Sequence, residues 1–184
     1  RGYFIDEGGF LSSMDQPAEV SVLEQGPLFV KVAVKGKIGK YSFTQTIRLT
    51  QGEPRIDMSV KLDWIGSPRI GEPGIEFRAD NPRKSFYDDR YKLLVYLPIQ
   101  IANQQIYKDA PFDVCESRLE NTFFNRWDSI KHNIILNWVD VASKDNSCGL
   151  SLFTDHTTSY AHGKDFPLAL NVQYAGKGLW GRDY

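Results

Sequence analysis

Residues 41–64 read YSFTQTIRLTQGEPRIDMSVKLDW, and this stretch decides the fold class. In its second arm Ile56, Met58, Val60, Leu62 and Trp64 alternate with Asp57, Ser59, Lys61 and Asp63. Successive side chains of a strand point to opposite faces, so the pattern predicts one buried and one wetted face. The first arm repeats it. Tyr41, Phe43, Ile47 and Leu49 alternate with Ser42, Thr44, Thr46, Arg48 and Thr50. Gln51-Gly52-Glu53-Pro54 supplies turn chemistry between the arms. The segment predicts an antiparallel hairpin with Trp64 in the core.

Outward from this hairpin, strand signals recur along the chain. Residues 28–35 alternate, with Leu28, Val30, Val32 and Val34 opposite Lys31 and Lys35. Residues 36–40 read as a turn and residues 19–23 as a short β-branched strand, so a meander precedes the hairpin. Residues 65–82 are rich in Gly and Pro and predict a loop, with a short strand at 75–78. Residues 81–90 predict an exposed loop. Residues 91–97 are apolar on both faces, as in an inner strand. Further strands are expected at 104–107, 112–116, 134–141, 149–153, 159–162 and 168–174. Residues 118–129, with Phe123, Phe124 and Trp127 at helical spacing, are the one place for a short helix or irregular insert. The pattern predicts an all-β chain, a large antiparallel β-sandwich or barrel. No linker or repeat divides it, so one domain over residues 1–184 is expected.

Composition narrows the function classes. At 184 residues the chain is long enough for a sizeable core. A net charge of -1 gives no basic footprint for nucleic acid. No apolar run reaches the roughly 20 residues that span a bilayer as a helix. The opening Arg1-Gly2-Tyr3 is read as the edge of an excised piece. Cys115 and Cys148 lie far apart without CxxC spacing, which leaves free thiols and a disulfide both open.

Catalytic signals are sparse. A glycosidase needs two carboxylates flanking the scissile bond, and no pair stands out among 23 acidic residues. Asp57 and Asp63 read as solvating charges. Asp140 and Asp155 lie beside apolar strands, where a hydrogen-bonded structural carboxylate is the plain reading. The histidines are His132, His156 and His162. Asp155, His156, Tyr160 and His162 form a polar run at the end of a strand. Zinc ligation, a pocket rim and ordinary surface histidines are all compatible with it. Trp64 and Trp138 fall on apolar faces and read as core, whereas Trp180, among glycines, is the better candidate for exposure.

The run Val22-Leu23-Glu24-Gln25-Gly26-Pro27-Leu28, FTQTIRL at 43–49 and RIDMSVKLDW at 55–64 resemble the C-terminal β-domain of the α-mannosidases of glycoside hydrolase family 38. KLLVYLP at 92–98, ILNWVDVAS at 135–143 and LSLFTDHTTSY at 150–160 follow in the family's order. Where the family carries Asn-Asp-Cys-Lys-Tyr-Gly-Tyr, only Asp155 and Tyr160 carry over. The resemblance implies a supersandwich of the galactose-mutarotase type, here an incomplete C-terminal portion. It also implies that zinc and the nucleophile belong to a missing N-terminal catalytic domain, which would be this chain's partner. No catalytic residue, metal or cofactor is then expected in this chain. The parent would be a retaining α-mannosidase acting on α-mannosides. Its compartment, bacterial periplasm or cytoplasm, stays open, as does a homo-oligomer. Substrate-rim candidates under this reading are Asp155, His156, Tyr160, His162 and Trp180. A stand-alone carbohydrate-binding module and a mutarotase-like sugar enzyme are the alternatives.

Overall fold

A computed structural model describes residues 1–4, 7–66, 92–117, 131–163 and 166–174. The expected strand at 75–78, the loop at 81–90, the insert at 118–129 and Trp180 lie outside the described residues. Fourteen strands and no α-helix occur among those described, and within the meander and the sandwich layers the strands pair antiparallel. The chain is all-β, as its alternation predicts. Its contacts group into two compact units, one of residues 1 and 3–69, the other of Gly2 and residues 70–184.

The first unit holds β1 (Gly2–Phe4, apart from Gly2), β2 (Gly9–Leu11), β3 (Glu19–Gln25), β4 (Phe29–Ile38), β5 (Tyr41–Thr50) and β6 (Ile56–Asp63). Strands β3 to β6 form a four-stranded meander in chain order. The β4–β5 hairpin closes through Gly39 and Lys40, with Ile38 opposite Tyr41. Gly39 has φ +59, and a Cβ there would approach Leu11 Cδ1 to 2.6 Å. Glycine tolerates both conditions. The register confirms the predicted faces: Val22, Val32, Ile47 and Met58 line up across the four strands.

Burial differs from expectation. At one end of the sheet Phe4 and Tyr41 are 1% exposed, and Trp64 packs edge-on to Tyr41 with ring centroids 5.2 Å apart. Trp64 itself is only half-buried. Towards the other end Ile56 is 61% and Met58 44% exposed, and Val20, Val22, Leu49 and Val60 are also exposed. The predicted buried face is therefore closed only at the Tyr41 end. Alternation separates the two faces of a strand, but it carries no information about whether a second layer covers the apolar one.

The second unit is a two-layer sandwich. Its strands are β7 (Lys92–Leu97), β8 (Gln104–Ala110), β9 (Asp113–Glu116), β10 (Lys131–Ile135), β11 (Trp138–Ser143), β12 (Gly149–Phe153), β13 (Thr158–Gly163) and β14 (Phe166–Tyr174). One layer runs β10-β13-β14-β7 and the other β12-β11-β8-β9. Ile106, Val139 and Val141 from the second layer meet Ile135, Tyr160 and Leu168 from the first in one buried cluster. Each is 2% exposed or less.

Where the sequence predicts a single strand at 134–141, the chain breaks into β10 and β11 at Leu136 and Asn137. The cause is Asp109. Its carboxylate accepts the backbone N–H groups of Leu136, Asn137 and Trp138 at 2.9, 2.7 and 3.3 Å, and the Asn137 side-chain amide at 3.0 Å. Backbone donors so captured cannot serve a strand ladder, and the chain turns a corner. The alternation keeps its phase across the corner: Ile135, Val139 and Val141 are buried, Ile134 is 52% exposed, and Trp138, on the same outer side as Ile134, is half-exposed rather than core.

Candidate functional site

The polar run after β12 separates into an outer and an inner pair. Asp155 and His156 sit in the turn between β12 and β13, with His156 Nδ1 2.5 Å from Asp155 Oδ1 and both side chains largely exposed. The imidazole holds the Asp155 carboxyl below its usual value by hydrogen bond and charge. Thr154 fastens the turn. Its N–H donates to the Asn137 carbonyl at 2.6 Å and its hydroxyl to the His156 carbonyl at 2.9 Å.

Tyr160 and His162 lie two residues apart on β13 and are 1% and 3% exposed. The Tyr160 hydroxyl donates to Ser117 Oγ at 2.6 Å. Burial pushes its phenol up to about 12, against a small opposing effect of the Ser117 bond. His162 Nε2 is 2.6 Å from Gln104 Oε1; an amide oxygen only accepts, so this nitrogen carries the proton. The run thus gives an exposed carboxylate–imidazole pair and two inward side chains. Among the described residues His156 pairs with Asp155 at the surface while His162 is buried against Gln104, so the two imidazoles do not share one cleft. Cys115 and Cys148 are both free thiols. Among the described residues no three His, Cys, Asp or Glu side chains cluster in a way that could hold a metal ion.

A second candidate site lies on the face of β12-β11-β8-β9 opposite the core. An open groove of about 410 Å³ is lined there by Tyr107, Val114, Trp138, Asp140, Ser151 and Phe153. Register explains the grouping. Asp140 pairs with Tyr107 on one side and Ser151 on the other, while Trp138 pairs with Phe153. Residues two apart share a face, so the inward Val139 and Val141 leave Trp138 and Asp140 outward. The Ser151 hydroxyl donates to Asp140 Oδ1 at 2.6 Å. Sequence reasoning singled out Asp140, but the groove was hidden because its residues come from four strands.

A family model described as the glycosyl hydrolases family 38 C-terminal domain matches residues 6–171, a span that runs through both compact units. No curated protein and no solved structure matches the chain.

Proposed function

Since the chain belongs to the glycoside hydrolase family 38 C-terminal domains, we propose that it is the non-catalytic, substrate-flanking domain of a zinc-dependent retaining α-mannosidase. The observation that carries this is the family match over 6–171. In such an enzyme a carboxylate attacks the anomeric carbon and a second carboxyl group protonates the departing oxygen. Both groups, and the zinc, are assigned to the catalytic domain, which is the proposed partner. This chain's share is to pack against that domain and to contribute loops to the rim of its sugar pocket. The apolar face of β3–β6, open at Val20, Ile56 and Met58, supports the packing role, because exposed apolar patches commonly mark interaction surfaces.

Of the rim candidates, the exposed pair Asp155 and His156 supports contact with an α-mannoside. A carboxylate and an imidazole between them donate and accept bonds to sugar hydroxyls, and loops at strand ends are frequent carriers of function. The test is an assay of the chain on a chromogenic α-mannoside, alone and joined to its catalytic domain. Turnover is expected only in the joined protein, and added zinc is not expected to awaken the isolated chain. Turnover by the chain alone, well above a heat-killed control, defeats the reading. In the joined protein Asp155→Ala should raise KM or lower kcat at an unchanged melting temperature. A fall in stability with unchanged kinetics would return the turn to a purely structural role.

A further inference from the structure

We propose that the outer face of β12-β11-β8-β9 is a sugar-binding platform, specific for a neutral pyranoside and separate from any catalytic pocket. It rests on the groove itself and not on the α-mannosidase reading.

The groove spans two rows of side chains, about 7 Å apart on one face of the sheet, the distance covered by two residues of a strand. One row carries Tyr107, Asp140 and Ser151; the other carries Val114, Trp138 and Phe153. Phe153 is 71% exposed and Val114 56%, so apolar surface is held in water there rather than folded into the core. Tyr107, Trp138 and Phe153 make no ring contact with one another. Among the described residues no other ring packs on their faces, and that of Phe153 is largely open to water.

The polar atoms are uncommitted as well. Among the described residues the Tyr107 hydroxyl, the Trp138 indole N–H and the second oxygen of Asp140 have no hydrogen-bond partner, and Ser151 fixes only Oδ1 of that carboxylate. The groove therefore offers a donor (indole), an acceptor (carboxylate) and a group that does both (phenol), set among aromatic faces. A pyranose ring is the complement. Its C–H face stacks on an aromatic ring, and its hydroxyls both donate and accept.

Charge narrows the ligand further. Asp140 lines the groove, Glu116 stands opposite Tyr107 in the ladder, and no Lys or Arg is among the lining residues. Among the described residues at the groove the charge is negative, which disfavours an anionic sugar or phosphate, so the ligand proposed is a neutral glycoside. An open groove on a sheet face also suits a flat ring within a chain better than an enclosed small molecule.

Titration of the chain with α-mannotriose and β-glucotriose, followed by calorimetry and by NMR of the Trp138 indole N–H, tests the proposal. Saturable binding of at least one trisaccharide is expected, with the indole resonance shifting. Phe153→Ala and Asp140→Asn should each weaken it by roughly tenfold or more, a change of about 1.4 kcal/mol or more. Phe153 is exposed, so its variant should melt like the wild type and keep the test clear of misfolding. Failure of both sugars to bind overturns the proposal. So does binding that survives both substitutions, which puts the sugar elsewhere. Preferential binding of tetramethylammonium also overturns it, because the rings would then form a cation site. None of these outcomes alters the α-mannoside assay of the joined protein.

Discussion

The meander of the first unit and the sandwich of the second are written in the same alternating code, yet they end differently. In the sandwich, apolar faces of two layers meet, and Ile135, Val139 and Leu168 lose all contact with water. In the meander the apolar face is just as regular, but beyond the Phe4–Tyr41–Trp64 cluster it stands open. The difference shows that register and burial are separate properties. The first is local to a pair of strands; the second depends on what else the chain, or a partner, brings to the face.

The sharpest way to break this comparison is to truncate one residue on each side of it. Leu168→Ala, in the closed core, should cost about 2–5 kcal/mol in a denaturant melt. Trp64→Ala tests the border between closed and open regions. The ring is half-buried but packs on Tyr41 and Phe4, so a loss of about 2–3 kcal/mol is expected, below the range for a fully buried Trp. If Trp64→Ala costs as much as Leu168→Ala, the meander is more closed than its exposure indicates.

Asp109 sets the corner that lets the sandwich close. Burial alone would raise its pKa, but bonds from Trp138, Asn137 and Leu136 outweigh that and hold it below its usual 3.8. Asp109→Ala should cost about 1–3 kcal/mol, because three backbone donors lose their acceptor. The sign with pH follows from the lowered value. The stabilisation is present above the ordinary carboxylate pKa and is lost as pH falls through the folded one. The variant's acid limb should therefore be flatter than the wild type's; an identical acid limb would remove Asp109 from this role.

At Tyr160 the linkage runs in the opposite direction. The folded phenol is raised from 10.0 to about 12, so it favours the folded state fully below pH 10 and loses that effect as pH rises towards 12. Tyr160→Phe should cost about 1 kcal/mol at neutral pH through the lost bond to Ser117. It should also flatten the alkaline fall in stability, read by melts between pH 8 and 11. An unchanged alkaline limb would show that the ring is not sealed in the core.

Much of the fold was legible because the deciding contacts are local. The hairpin of residues 41–64 follows from alternation and one turn, and its register came out with the predicted face intact. The corner at Leu136 and Asn137 was not legible. Its cause, Asp109, lies 27 to 29 positions earlier in the chain, and no neighbouring residue announces it. The outward Trp138 is a separate matter: it shares its face with the exposed Ile134, opposite the buried Ile135, Val139 and Val141, and its size and apolar neighbours suggested core instead, which hid the groove. The rim run was half legible: strand periodicity could have turned Tyr160 inward, but nothing local signals that Gln104, 58 positions away, would receive His162.

The smallest expected effect is the one that most sharpens the comparison. Ile56→Thr sits on an edge strand, β6, at a position 61% exposed and directly opposite Leu49, itself 44% exposed. Threonine keeps the β-branch that suits a strand and removes apolar surface from water. Little packing is lost, so stability of the chain should change by no more than about 0.5 kcal/mol. The same substitution behaves differently if the open face is where a catalytic domain packs. A threonine hydroxyl buried in that contact would lack a partner, at about 1–3 kcal/mol, and the joined protein should melt lower while the isolated chain does not. Melts of both proteins decide it. A loss in the isolated chain alone would mean that the face is already covered within the chain. No loss in either would place the partner's contact on another surface.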